Sequence, residues 1–120
     1  MKKIDLSTIT FKDSFDHQKA VLFDKADFGA PVKTQILLVK PGQYIPPHHH
    51  NVRTEALMIF EGEGEIVVAG EKIVSPQETI ICQPGDIHAM RNVSTEKPLK
   101  ILVIRTNDPG KEDMIWEKAL

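Results

Sequence analysis

Between Gly42 and Gly62 the chain reads Gly-Gln-Tyr-Ile-Pro-Pro-His-His-His-Asn-Val-Arg-Thr-Glu-Ala-Leu-Met-Ile-Phe-Glu-Gly, and no other stretch constrains the fold as tightly. His48 and His50 stand two apart, so in an extended strand their side chains leave the same face. Glu55 follows five residues after His50. If the chain turns between them, the carboxylate enters from a neighbouring strand. Two imidazoles and a carboxylate converging in this way are the parts of a transition-metal site. A further donor is wanted, and the chain offers His88.

At 120 residues the chain is the size of one ordinary domain. The net charge of −2, with both signs mixed throughout, gives no basic footprint for nucleic acid and no polybasic membrane patch. The single cysteine, Cys82, cannot form an intrachain disulfide, and Met1-Lys2-Lys3 is not followed by the apolar run of a signal peptide, so a cytoplasmic location is expected. No apolar stretch approaches the roughly 20 residues that span a bilayer.

Residues 1–31 read as an arm. Ile4, Leu6 and Ile9 support one short strand and Lys19 to Phe23 another, which would add an edge to this domain or to a partner's. Residues 32–106 read as the main β domain. Strands are expected at Thr34–Val39, Ala56–Phe60, Glu65–Ala69, Ile73–Val74, Thr79–Gln83, Ile87–Val93 and Leu99–Thr106, punctuated by Pro41-Gly42, Glu61-Gly62-Glu63-Gly64, Gly70-Glu71-Lys72, Ser75–Glu78 and Pro84-Gly85-Asp86. Short strands at such close spacing predict an antiparallel sandwich or barrel. Residues 107–120 form a tail, with a helical turn or two expected from Glu112 to Ala119.

The pattern resembles the cupins, a family of small double-stranded β-helix or jelly-roll barrels. Their first motif is glycine, five residues, histidine, one residue, histidine, three or four residues, glutamate, six residues, glycine; Gly42, His48, His50, Glu55 and Gly62 fill every fixed place. The second motif is proline, one residue, glycine, two residues, histidine, three residues, asparagine. Gly85, His88 and Asn92 fit it, while Gln83 stands where proline is usual and Pro84 comes one place later. The resemblance implies an all-β jelly roll and one divalent transition metal per chain held by His48, His50, Glu55 and His88. Three neutral imidazoles and one carboxylate in octahedral geometry leave two positions open for substrate, water or dioxygen. Imidazole ligation disfavours magnesium and calcium, so iron, manganese, nickel, zinc, cobalt and copper remain.

Strand parity supplies a provisional pocket lining. Leu57 and Ile59 follow Glu55, and Met90 and Asn92 follow His88. Tyr44, Arg53 and Arg91 are the residues near the motifs able to reach a substrate anion or donate a proton, and Arg53 has the alternative role of capping the turn before Glu55. His49 alternates to the opposite face. His17, standing alone, reads as a surface or arm residue, and Cys82 as a small buried hydrophobe.

No second carboxylate is placed by parity beside the metal as acid or base. This favours dioxygenase-like chemistry on a small oxygen-rich substrate over decarboxylation or isomerisation. A non-catalytic module for a sugar or other small ligand is the alternative, and a jelly roll keeping its metal only for stability a third. A homodimer is expected, because the strands Ile36–Val39 and Ile101–Ile104 are apolar on both faces.

Overall fold

The computed structural model describes residues 1–68, 70–73 and 76–118. In chain order its elements are β1 (Lys12–Ser14), β2 (His17–Phe23), a single helical turn α1 (Lys25–Phe28), β3 (Lys33–Val39), β4 (Tyr44–His50), β5 (Thr54–Glu61), β6 (Gly64–Val68), β7 (Glu71–Ile73), β8 (Thr79–Cys82), β9 (His88–Asn92), β10 (Leu99–Thr106) and β11 (Met114–Trp116). They form two antiparallel sheets, one in the order β1-β2-β3-β10-β5-β8 and the other β11-β4-β9-β6-β7. This is the antiparallel sandwich that the punctuated short strands predict, and the jelly roll that the family resemblance implies. Ala69, Val74, Ser75 and Ala119, at the ends of an expected strand, strand, loop and helix, lie outside the described residues. No helix among the described residues is long and apolar enough to cross a membrane.

The core lies between the sheets. Alternate positions of β10 (Leu99, Ile101, Val103) and β5 (Leu57, Ile59) meet Ile66 and Met90 from the other sheet, all nearly or fully buried. The glycine that closes the first motif is needed here for steric reasons. Gly62 has φ +87, and a Cβ on it would stand 2.3 Å from the carbonyl oxygen of Pro98.

Both termini depart from the sequence reading. Residues 1–11 form no regular strand ahead of β1, so Ile4, Leu6 and Ile9 do not pair. The polar run from Lys12 instead makes a hairpin, β1 with β2, turned through Phe15 at φ 54, and β2 then pairs with β3 in the chain's own six-stranded sheet. The tail forms a strand in place of the expected helix. Met114, Ile115 and Trp116 pair with His50, His49 and His48, because the edge of β4 offers unpaired backbone groups that a short isolated helix would leave unsatisfied.

Candidate metal centre

Each histidine of the motifs is oriented by the backbone. Nδ1 of His48 donates to the carbonyl of Pro46 at 2.8 Å, Nδ1 of His50 to that of Asp113 at 2.9 Å, and Nδ1 of His88 to that of Asp86 at 2.9 Å. A carbonyl only accepts, so the proton of each neutral ring sits on Nδ1 and the Nε2 lone pair is free for another partner. The three histidines are buried, each offering a ring nitrogen within 4.8 Å of the others. His48 and His88 are direct cross-strand partners on β4 and β9.

Glu55 arrives from the other sheet. β4 and β5 follow one another in sequence but do not pair, because the chain crosses between sheets at residues 51–53. The carboxylate therefore faces the histidines across the sandwich, not from an adjacent strand. Asp113 holds that crossing: its carboxylate accepts the backbone N–H groups of Asn51, Val52 and Arg53 at 3.0–3.1 Å, while its own carbonyl orients His50. Burial would raise the Asp113 carboxyl, but these backbone bonds hold it below its ordinary range.

The two oxygens of Glu55 have different surroundings. Oε1 is 3.1 Å from Nε2 of His50 and 3.6 Å from Nε2 of His88. Oε2 is 2.7 Å from Nε of Arg105 and 3.1 Å from Nε of Arg53. Burial alone would raise this carboxyl, yet His50, His88 and Arg105 hold it well below the usual range. Burial and the neighbouring His88 depress His48 to about 3. For His88, burial opposes the charged form, but Cys82 and Glu55 outweigh it and push the ring up to about 10.

These contacts make a test of whether a cation fits. With Nδ1 protonated, Nε2 of a neutral His50 turns a lone pair toward a carboxylate oxygen at 3.1 Å, and Nε2 of both His50 and His88 is buried without a hydrogen-bond partner. Two acceptors face each other, which is costly away from water. A proton or a metal ion between them removes the conflict, and a set of three nitrogens and one oxygen suits a transition metal.

His48, His50 and Glu55 line a cavity of about 220 Å³, while His88 is fully buried and does not reach its surface. Its apolar floor includes Leu37, Ile45, Met90 and Val103, and its far wall carries His17 and Lys19 of β2, Lys33 and Gln35 of β3, and Arg105 of β10. Phe15, at the β1–β2 turn, lines the mouth and meets Trp116 edge-on at 5.2 Å, and Trp116 in turn lies 5.4 Å from the ring of His48. Arm and tail thus both contribute to the site.

Met90 lines the cavity, whereas Leu57 and Ile59 are buried in the core beneath it. Asn92 also faces inward but is occupied structurally, donating to the carbonyls of Val39 and Lys97 and accepting from the N–H of Ser94. Arg53 is buried against Glu55 and lines the cavity. Tyr44 and Arg91 do not reach the site. They are cross-strand partners on the outer face, both exposed, with Arg91 paired to Glu65 at 2.9 Å. The register of β4 shifts between Ile45 and His48, where Pro46 and Pro47 lack N–H groups for the ladder, so Ile45 and His48 both face inward and Tyr44 outward. His49 points away from the cluster, its Nδ1 2.7 Å from Oε1 of Glu117. At the position where the second motif usually has proline, the N–H of Gln83 donates to Asp86 at 2.8 Å and its side chain accepts from the hydroxyl of Thr54 at 3.1 Å, so hydrogen bonds hold the turn.

Sequence reasoning missed His17, which is buried with an unpartnered Nδ1 and faces the cavity. It also missed Lys19, Lys33, Gln35, Arg105 and Asp113. For Arg105 a signal existed, since it continues the inward alternation Leu99, Ile101, Val103 of β10. For the others the signal is only the long-range pairing of β2 with β3 and of β11 with β4.

Residues 35–105 match the model of the family described as Cupin domain. Among solved structures, a predicted oxalate decarboxylase from Thermotoga maritima superposes with a TM-score of 0.76 at 20% identity, covering 88% of this chain and 99% of that one. An uncharacterised conserved protein with a double-stranded β-helix domain from Klebsiella pneumoniae gives 0.76 at 16% identity, covering 98% of each. Among curated proteins, mannose-1-phosphate guanylyltransferase 2 of Escherichia coli O157:H7 is 26% identical over 98 residues, which is 80% of this chain and 20% of that protein. The chain thus spans about a fifth of the length of that relative.

Proposed function

The chain belongs to the cupin family, and from that premise we propose that it is a metal-dependent enzyme acting on a small, oxygen-rich substrate in the cavity beside His48, His50, Glu55 and His88. The observation that carries this reading is the convergence of three buried histidine nitrogens within 4.8 Å of one another, with Oε1 of Glu55 turned toward His50 and His88. A divalent transition metal bound there would supply Lewis-acid polarisation of a substrate oxygen. Asp113 fixes the His50 ring through its carbonyl, and Arg53 and Arg105 hold Oε2 of Glu55 so that Oε1 stays turned toward the imidazoles. Phe15 lines the cavity and packs edge-on against Trp116 of β11.

His17 bears on the reaction type. It is a buried ring facing the same space, kept neutral because burial and Lys19 depress it to about 4. A neutral imidazole of so low a value is a weak base that both accepts and donates hydrogen bonds, so it can position a substrate hydroxyl or carboxyl held against the histidine cluster. This group favours non-redox chemistry, decarboxylation, elimination or isomerisation, among which decarboxylation has a parallel in the structural neighbour described as a predicted oxalate decarboxylase. A second reading, dioxygenase-like, is supported by the apolar floor of Leu37, Ile45, Met90 and Val103. Incubating protein loaded with Mn(II) or Fe(II) with small hydroxy- and keto-acids, under air and under argon, separates them. Product formed equally under argon supports proton-transfer chemistry. Oxygen consumed in proportion to product supports the dioxygenase, and saturable binding with no product in either atmosphere leaves a ligand-binding module.

We further propose that two copies pair in solution through the outer face of the six-stranded sheet, where Ile104, Ile81 and Phe60 are exposed on neighbouring strands. The free thiol of Cys82 accords with a reducing, cytoplasmic setting.

A further inference from the structure

The wall opposite the histidines carries more positive charge than the protein itself neutralises. Lys33 of β3 is the direct cross-strand partner of Arg105 of β10, and Arg105 is in turn the partner of Glu55 on β5. Lys19 of β2 pairs with Leu37, which like Lys33 and Gln35 faces the cavity from β3. Like charges directly opposite on a sheet repel. Glu55 is shared by Arg53 and Arg105, and neither Lys19 nor Lys33 has a carboxylate within 4 Å among the described residues.

Two further carboxylates line the cavity, and neither lies within 4 Å of Lys19 or Lys33. Asp108 accepts the N–H of Gly110, and Glu112 that of Met114. Five cations (Lys19, Lys33, Arg53, Arg105 and Lys111) thus face three carboxylates (Glu55, Asp108 and Glu112) around a recess of a chain whose overall charge is −2. Arg105 meets Glu55 through Nε, so its Nη groups remain for a second acceptor. Beneath them lies Gln35, 1% exposed, with an Oε1 that has no hydrogen-bond partner. A buried polar atom in that condition costs free energy until a donor reaches it.

We propose that Lys19, Lys33 and Arg105 form a carboxylate-binding subsite facing the histidine cluster, and that the substrate is a small organic acid carrying a second oxygen donor. One carboxylate lies against the cations of β2, β3 and β10, and the second oxygen donor is directed toward His48, His50 and His88. A hydroxyl on the acid satisfies Oε1 of Gln35. The cavity volume, about 220 Å³, lies below the roughly 300–1,000 Å³ of pockets for drug-sized ligands, which suits a small acid. This subsite deepens the metalloenzyme reading and rests on it for the placement of the second oxygen donor.

Depression of the Lys19 ammonium below its ordinary range, by burial first and then by Arg105, Lys33 and Arg53 against the opposing pull of Glu112, accords with the crowding of charge.

The test uses the full chain loaded with Mn(II), with metal content measured on every sample, and titrates malonate, lactate and malate with malonamide as the uncharged control. Calorimetry and melting temperature report binding. We expect at least one acid to bind and to raise the melting temperature, malonamide to do neither, and Lys19→Gln and Lys33→Gln each to weaken binding by about tenfold or more with metal content unchanged. Lys33→Arg, which keeps the charge, should retain most of the affinity. The subsite is overturned if no acid binds the wild type, if malonamide binds as well as malonate, or if both glutamine variants bind like the wild type. A wild type that takes up no metal contradicts the metalloenzyme reading instead. The same comparison on metal-free protein then decides the subsite, which predicts weaker binding still sensitive to Lys19 and Lys33.

Discussion

Arg105 and Glu55, 50 residues apart in the chain, meet at 2.7 Å through Nε and Oε2 on adjacent strands β10 and β5. The contact leaves the other carboxylate oxygen toward His50 and His88. Arg105→Gln should therefore let the Glu55 carboxyl rise toward its ordinary range and loosen its orientation. Metal affinity at neutral pH should fall on the order of tenfold, with metal released at a higher pH than from the wild type. Chelator competition across a pH series checks both.

His17 makes stability depend on pH in a definite direction. Its folded value of about 4 lies below the ordinary 6.5, so between those limits the unfolded chain binds more protons. Its unfavourable effect is absent above about pH 6.5, grows as the pH falls, and is complete below about pH 4. His17→Gln should flatten the fall in stability across that window and change little at pH 8. Urea unfolding at several pH values measures the difference between the two proteins.

Gly62 has a positive φ and no space for a Cβ, which would meet the Pro98 backbone. Gly62→Ala should destabilise the fold by on the order of 2–4 kcal/mol, combining left-handed backbone cost with displacement of Pro98. Gly42→Ala, with a similar φ but nothing within 4 Å, should cost less. Thermal or urea melts of the two variants rank them.

Pairing through the six-stranded sheet predicts twice the chain mass by light scattering at micromolar concentration. Ile104→Lys and Ile81→Lys, both on the outer face, should shift the protein toward the mass of one chain. A wild type of single-chain mass contradicts the pairing.

Local rules carry far into this molecule but stop at contacts between distant segments. Alternation and turn residues expose the strands from β3 to β10, and the i, i+2 spacing of His48 and His50 puts both rings on one face. Two prolines undo the same parity at Tyr44, because the bulge they cause turns it outward. Parity also directs Leu57 and Ile59 inward without telling how deep the cavity reaches. His17 looks like an isolated arm residue until β2 pairs with β3. Asp113 looks like part of a polar tail until it caps the crossing at residues 51–53 and orients His50. The tail follows no helical or strand pattern strong enough to decide its form alone, and the open edge of β4 decides it.

The most direct measurement is the metal content of the protein and of His50→Ala, His88→Ala and Glu55→Gln, each purified without added metal and then equilibrated with Mn(II) or Fe(II). One bound transition metal per chain in the wild type, absent or greatly reduced in both alanine variants and weakened in Glu55→Gln while all remain folded, is the predicted result. A wild type that binds none, or alanine variants that bind as well as the wild type, would contradict the metal centre.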